Sequence, residues 1–233
     1  MDENLIEFDS IPSTNDYLKQ HWDHLAPFAF VRAAEQTAGK GRGDRHWVAK
    51  KGENLTFSLL LKDPKLFEHI GLLSLSTSIA VCRALERIGL TQVAIKWPND
   101  VLIGGKKVCG ILLEGSLPSY CVIGIGVNVN QTTFDGQYRR TPTSIALEKG
   151  SKIDVEAFYA CLREELRLLL SSRLEGAKLL SYLHAHDALK GKSTETVIDG
   201  AMREVVVLGY DEEYRLLVDY RGRALALSSG EVP

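Results

Sequence analysis

No run in this sequence is apolar for long enough to cross a bilayer. The longest uncharged, mostly apolar stretch, Ile70 to Cys82, is broken by glycine, serine and threonine, and a spanning helix needs about 20 apolar residues. The amino-terminal MDENLIEF lacks the basic start and apolar core of a secretory leader. Cysteine is sparse: Cys82, Cys109, Cys121 and Cys161 form no CxxC pair and stand in apolar surroundings. That argues against a zinc site or a disulfide framework and for reduced, buried thiols in a cytoplasmic protein. An excess of one charge is missing too. The 28 Lys and Arg against 30 Asp and Glu leave a net charge of −2, which gives no reason to invoke a nucleic-acid partner. Repeats and low-complexity segments are absent. With 45% hydrophobic and 25% charged residues, the composition is that of a globular chain rather than a disordered or fibrous one. Its 233 residues suffice for one sizeable core plus a small second domain.

What is present is ordered along the chain. Residues 4–8 read as a short strand, and Ser13-Thr14-Asn15-Asp16 offers N-cap chemistry for a helix through about Trp22. Phe28 to Ala34 reads as a strand. Gln36 to Glu53, polar and rich in glycine, has no apolar period and reads as a loop; Thr56 to Leu61 is again a strand. Leu72, Leu75, Ile79, Cys82 and Leu85 share one helical face and predict a helix over about 70–88. Val93 to Trp97 follows as a strand, then a hairpin turning at Gly104-Gly105. Cys121 to Val129 is continuously apolar, as expected of a central strand covered on both faces. Val155, Phe158, Leu162, Leu166 and Leu169 predict a second long helix with Asp154 as its N-cap, and a third runs over about 177–187. After Gly191 short alternating β-rich runs take over, broken at Asp199-Gly200, Tyr210-Asp211 and Arg221-Gly222. The pattern predicts an α+β fold with helices on one side of a sheet and a domain boundary near Leu189.

Four segments carry chemistry. In Gly39-Lys40-Gly41-Arg42-Gly43-Asp44-Arg45-His46-Trp47, glycine lets the backbone curl round a ligand. The interleaved cations suit phosphate or carboxylate; the bland alternative is a solvated surface loop. Lys96-Trp97-Pro98-Asn99-Asp100 closes a strand, or simply caps it. Lys107 opens the apolar run Val108 to Leu112, where it could merely snorkel to solvent. Gly124-Ile125-Gly126 lies in an apolar strand leading to Asn128 and Asn130. Glycine there signals close approach of a ligand or another chain, or a bulge. Standard nucleotide fingerprints fail. Gly191-Lys192-Ser193 has His186 where a Walker loop needs its first glycine, and Gly124-Ile125-Gly126 lacks the third glycine of a dinucleotide turn.

Together and in this order, these segments resemble the catalytic domain of biotin protein ligases over almost the whole chain. Ser13-Thr14-Asn15, the run from Gln36 to Trp47, Lys96 to Asp100, Lys107 with Gly110-Ile111-Leu112, and Gly124 to Asn130 carry the likeness. The β-rich end, closing in Ser229-Gly230-Glu231, is similar to that family's SH3-like C-terminal domain. The resemblance implies a mixed, mainly antiparallel sheet with helices, of the class II synthetase-like kind. It divides the chain into a catalytic domain, 1–188, and an SH3-like domain, 189–233. It implies ATP-dependent activation of biotin to biotinyl-5′-AMP and transfer to a lysine of a biotin carboxyl carrier domain. Biotin and ATP would be the substrates and Mg²⁺ would sit on the phosphates; no metal-ligating residue is named. The motifs begin within the first fifteen residues, so a preceding DNA-binding segment is not expected. Neither a DNA nor a membrane partner is expected; the likeness allows a homodimer through the central sheet and leaves the oligomeric state open.

Residue by residue, Lys107, Arg42 and Asp100 are the catalytic candidates. Lys107 would stand between the biotin carboxyl and the α-phosphate, and cations are needed because two anions must meet. Asp100 would take the proton of the carrier amine, whose pKa is about 10.4 when free. Ser13, Thr14, Asn15 and Gln36 supply uncharged hydrogen bonds for a ureido head, joined at the biotin site by Lys40, Gly41, Arg42, Lys107 and Gly110. Lys40, Arg42, Arg45, Trp47, Lys96, Asn99, Lys107 and Asn128 would face the nucleotide. The family loop usually reads Gly-Arg-Gly-Arg-x-Gly-Arg-x-Trp. Lys40 replaces its first arginine, keeping charge but losing the bidentate fork, and Asp44 stands where a glycine is usual. A loop over about 38–48, mobile without ligand, would fold over the water-labile anhydride. Two other functions share parts of the pattern. A lipoate or octanoate ligase of related fold has less need of Gln36 and the Ser-Thr-Asn group. A non-catalytic biotin sensor would not exchange pyrophosphate into ATP.

Overall fold

The computed structural model describes residues 4–136, 138–171, 176–228 and 230. Seven strands form the main sheet: β1 (Leu5–Phe8), β2 (Phe30–Ala33), β3 (Leu55–Leu61), β4 (Val93–Lys96), β5 (Asp100–Ile103), β6 (Lys106–Ser116) and β7 (Tyr120–Val127). Their order is β1-β2-β3-β7-β6-β5-β4. Only β1 and β2 run parallel; every other neighbour is antiparallel. The continuous apolar strand is thus the middle one, as expected. Gly104 and Gly105 join β5 to β6 with φ of 55° and 79°, the left-handed pair a two-residue hairpin needs.

Alternation along the strands separates two faces. Cys121, Ile123, Ile125 and Val127 of β7, with Leu55, Phe57, Leu59 and Leu61 of β3, enter the principal core. The apolar faces of α2 (Ile70–Arg87) and α4 (Val155–Ser171) belong to the same core; the two helices pack on each other, and α2 lies against β4, β5 and β6. Asp154 caps α4, its Oδ1 accepting from the amides of Glu156 at 2.9 Å and Ala157 at 3.2 Å. The opposite face is not bare. There α1 (Thr14–His21) places Leu18 against Val31, Leu60 and Val122. This corrects the expectation of helices on one side: α1 is short, and its polar sequence hides how much of it is covered. Two short elements were not foreseen, a single 3-10 turn at Pro64–Leu66 and α3 (Ile145–Lys149), both too short to show a period. Ser144 Oγ caps α3 by accepting from the Leu147 amide at 3.2 Å.

After α5 (Gly176–Ala185) come β8 (Ser193–Ile198), β9 (Ala201–Tyr210), β10 (Leu216–Tyr220) and β11 (Arg223–Leu227), an antiparallel sheet in the order β11-β10-β9-β8. Its inner face (Val205, Val207, Leu216 and Val218) belongs to the principal core, beside Leu179, Leu183 and Leu189. The connecting segment is stitched to the edge of the main sheet. The Ile95 amide donates to the His186 carbonyl at 2.7 Å, and the Ala188 amide donates to the Ile95 carbonyl at 2.9 Å. All four cysteines are free thiols, with Cys161 only half-buried. Burial pushes the Cys82 and Cys109 thiols up and raises Cys121 to about 11, so these three stay protonated. No helix among the described residues is long and apolar enough to cross a membrane.

Phe158 of α4, 1% exposed, belongs to the principal core that α2 and α4 share. Phe158→Ala is expected to cost about 3–5 kcal/mol in urea unfolding, because the void left cannot collapse fully. Met202→Ala, on the exposed side of β9, is expected to stay within about 0.5 kcal/mol.

Candidate active site

The second face of the sheet opens, beside α1, into a cavity of about 950 Å³ lined by all four motif segments. Its floor exists because Gly110, Gly124 and Gly126 carry no side chain. Gly110 and Gly126 are directly paired across β6 and β7. A methyl on Gly124 would collide with the Asn15 amide, and one on Gly126 with the Trp47 indole. The expected close approach at these glycines is therefore made by the chain's own Asn15 and Trp47.

One wall of the cavity is neutral and hydrogen-bonded. Ser13 caps α1, its Oγ accepting from the Asp16 amide at 3.3 Å. Gln36 Oε1 accepts from the Thr14 amide at 2.8 Å and from Thr14 Oγ1 at 2.9 Å. Thr14 Oγ1 lies 2.7 Å from Ser58 Oγ, which donates to Asn15 Oδ1 at 2.5 Å. Asn15 Nδ2 donates to Glu114 Oε2 at 2.7 Å. Each amide of the group is thereby fixed in orientation, as a site that reads a neutral polar head requires. Sequence reasoning missed Ser58 and Glu114. A signal existed for Ser58, whose hydroxyl interrupts the apolar LTFSLLL strand on the face opposite Phe57 and Leu59.

The other wall is cationic. Lys96 is buried at the end of β4 with no hydrogen-bond or ion-pair partner among the described residues. Burial, then the nearby Arg140, pulls its amine down to about 8. Lys107 Nζ pairs with Asp100 at 2.6 Å and lies 5.9 Å from the centre of the Trp47 ring. Its backbone is clamped by the next segment: its amide donates to Thr141 at 2.9 Å and its carbonyl accepts from Thr143 at 2.8 Å. That segment brings Arg139 and Arg140 to the cavity, two adjacent cations sequence reasoning passed over. Arg140 Nη1 donates to the Gly105 carbonyl at 3.3 Å, a partner that leaves its charge unneutralised.

The glycine segment covers this space as a small hairpin. The Gly41 amide donates to the Arg45 carbonyl at 2.7 Å and the Trp47 amide to the Gly39 carbonyl at 3.0 Å. Arg42 reaches Asn99 Oδ1 at 3.4 Å and the Gly230 carbonyl at 3.0 Å, while Arg45 Nε donates to the Arg42 carbonyl at 2.7 Å. Ser229 and Glu231 lie outside the described residues. Lys40 points instead to α1, pairing with Asp16 at 2.7 Å. Trp47 lies on the glycine floor with its Nε1 buried and unbonded, a donor left for a ligand. Asn99 and Asn128 line the cavity while serving the backbone, Asn99 Nδ2 donating to Ile111 at 2.7 Å and Asn128 Nδ2 to Thr143 at 2.9 Å.

The mixed sheet thus carries a glycine-floored cavity, neutral at one wall and cationic at the other, beneath a glycine-and-arginine flap. Residues 7–128 match the biotin/lipoate A/B protein ligase family, and the chain belongs to that family. It is 34% identical over 191 residues to the bifunctional ligase/repressor BirA of Bacillus spizizenii, which covers 77% of this chain and 59% of that protein. It is 39% identical over 150 residues to the biotin–[acetyl-CoA-carboxylase] ligase of Paracoccus denitrificans, covering 59% of this chain and 61% of that one. The chain thus spans about three-fifths of the length of these relatives. Among solved structures, the biotin protein ligase of Aquifex aeolicus in complex with biotin and ATP superposes with a TM-score of 0.89 at 27% identity. That alignment covers 99% of this chain and 98% of that one.

Lys96 yields a pH test. Its folded pKa lies below the unfolded value of 10.5, so the buried charge destabilises the empty protein fully below pH 8. The penalty is relieved as pH rises between about 8 and 10.5, where the unfolded chain binds the extra proton. Lys96→Met is therefore expected to stabilise the ligand-free protein at pH 7 by roughly 2 kcal/mol in urea unfolding. An anion in the cavity restores the charge. Calorimetry at pH 8.5 in buffers of different ionisation enthalpy should then show proton uptake on nucleotide binding, lost in Lys96→Met.

Proposed function

We propose that the chain activates biotin with ATP to biotinyl-5′-AMP and passes the biotinyl group to a lysine of a biotin carboxyl carrier domain. The observation that carries this reading is Lys107. It stands beside the Gly110 floor on one side and is clamped to the Arg139–Arg140 segment on the other, where the neutral wall gives way to the cationic one. The ureido head would take the Ser13, Thr14, Asn15 and Gln36 wall, and Gln36 Nε2 and the orphaned Trp47 Nε1 are donors to spare. The carboxylate would then reach Lys107, Gly41 and Arg42. Lys96, Arg42, Arg45 and Lys107 would hold the phosphates, with Asn99, Asn128 and Trp47 enclosing the rest of the nucleotide. The neighbouring solved complex, which contains biotin and ATP, supports the pairing of ligands.

In the first step a biotin carboxylate oxygen attacks the α-phosphorus and pyrophosphate leaves. Two anions approach only when their charge is compensated, and Lys107 gains most as charge moves onto the bridging oxygens. Mg²⁺ would add charge compensation on the phosphates. Among the described residues no cluster of three or more His, Cys, Asp or Glu side chains forms a cage for it, so phosphate oxygens and water would be its main ligands. In the second step the carrier amine attacks the acyl carbon and AMP leaves. Asp100 first orients Lys107; once the carboxyl and phosphate engage Lys107, its carboxylate is free to take the proton of the amine. The four-stranded sheet would be the SH3-like module, within a second domain of 189–233.

Incubation with ATP, Mg²⁺, biotin and a biotin carboxyl carrier domain should raise the carrier's mass by one biotinyl group, with biotin-dependent exchange of pyrophosphate into ATP. Exchange supported by lipoate instead, or none with either acid, would refute the assignment. Lys107→Ala and Arg42→Ala are each expected to slow exchange by about a hundredfold or more, and full turnover in both would sink the mechanism.

A further inference from the structure

Lys40 leaves a question that the proposed reaction does not answer. The family's usual arginine is a lysine here, and its amine is spent away from the cavity's cationic wall. It sits 2.7 Å from Asp16 Oδ1, in the first turn of α1. Lys19 approaches the same oxygen at 2.9 Å and also reaches Glu114 Oε1 at 2.6 Å. Glu114 in turn holds the Asn15 amide at the neutral wall. One unbroken polar chain therefore runs from the glycine flap to the residue that would meet the ligand's head. Lysine suits this role better than arginine: a compact ammonium can share one carboxylate oxygen with a second ammonium, and the planar fork is built for bidentate contact. Burial raises the Asp16 carboxyl, but the bonds from Lys40 and Lys19 outweigh it and leave it below the ordinary carboxylate range.

We infer that the Lys40–Asp16 ion pair is a latch that holds the flap over the cavity, and that Asp16 is a positioning residue through which occupancy at Asn15 favours the closed flap. Lys40 is bridged to His46 at the base of the hairpin, so anchoring its side chain anchors the two strands that carry Arg42 and Trp47. The pair is half-exposed and modest in strength, which fits an element that must open for substrates to enter. This inference takes the ligands from the proposed reaction, but the latch is testable without catalysis.

Amide hydrogen exchange at Gly41 and Trp47 is the primary measurement, on the full chain, free and with biotin. Asp16→Asn and Lys40→Met should each speed exchange about threefold in the free protein. The double variant should be no faster than either single one, Asp16→Glu should restore slow exchange, and biotin should slow it in the parent far more than in Asp16→Asn. Lys40→Met sits on an exposed loop, so its fold is not at risk. A second readout is AMP released with ATP and biotin but no carrier. In an opened flap, water attacks the acyl carbon of the anhydride, giving biotin and AMP, so this leak should rise several-fold in Asp16→Asn. Unchanged exchange in both single variants, or additive effects in the double variant, would overturn the latch. If amide exchange behaves as expected while the parent shows no biotin-dependent exchange of pyrophosphate into ATP, the latch stands and the proposed reaction falls.

Discussion

The site depends on one asymmetry in the middle strand. Along β7, alternate positions carry Cys121, Ile123, Ile125 and Val127 into the core, and the intervening positions 124 and 126 carry no side chain at all. The first set cements the sheet to α2 and α4; each such side chain withdrawn from water contributes about 1.5–3 kcal/mol. The second set leaves a bare backbone floor on the far side. A rigid, well-anchored strand is what allows that floor to stay open, since a loosely held one would sag into the space beneath the flap.

Electrostatics completes the division. Asn15, Gln36, Thr14 and Ser58 satisfy one another and Glu114, so the neutral wall holds its geometry before a ligand arrives. Lys96 is left unsatisfied and partly discharged by burial. One wall is thus satisfied internally, while the other holds a buried cation that an anion would stabilise.

Much of this was legible in the residues. Helix periodicity located α2 and α4, and uninterrupted apolarity marked β7 as central. The Gly39–Trp47 and Lys96–Asp100 segments pointed to one site, because their residue types make poor sense as ordinary turns. What could not be read was set by tertiary contact. Glu114 lies far from Asn15 along the chain, and only the packing of α1 over β3 and β7, next to β6, unites them. Lys40 shows its charge in the sequence but not its pairing with Asp16 across the rim of the cavity, which is a tertiary contact. Arg139 and Arg140 were visible as a cationic pair, yet nothing local tied them to Lys107 before the 141–143 backbone clamp was seen.

The stitch at Ile95 has a mechanical consequence. Residues 186–188 do not merely link two sheets; they zip onto the border of the larger one, directly beside Lys96, which is buried with no ion-pair partner among the described residues. A tug on the smaller sheet is therefore delivered to the β4 border without slack. The same seam occupies hydrogen-bonding groups that would otherwise invite pairing with foreign chains, so this border is both a lever and a seal.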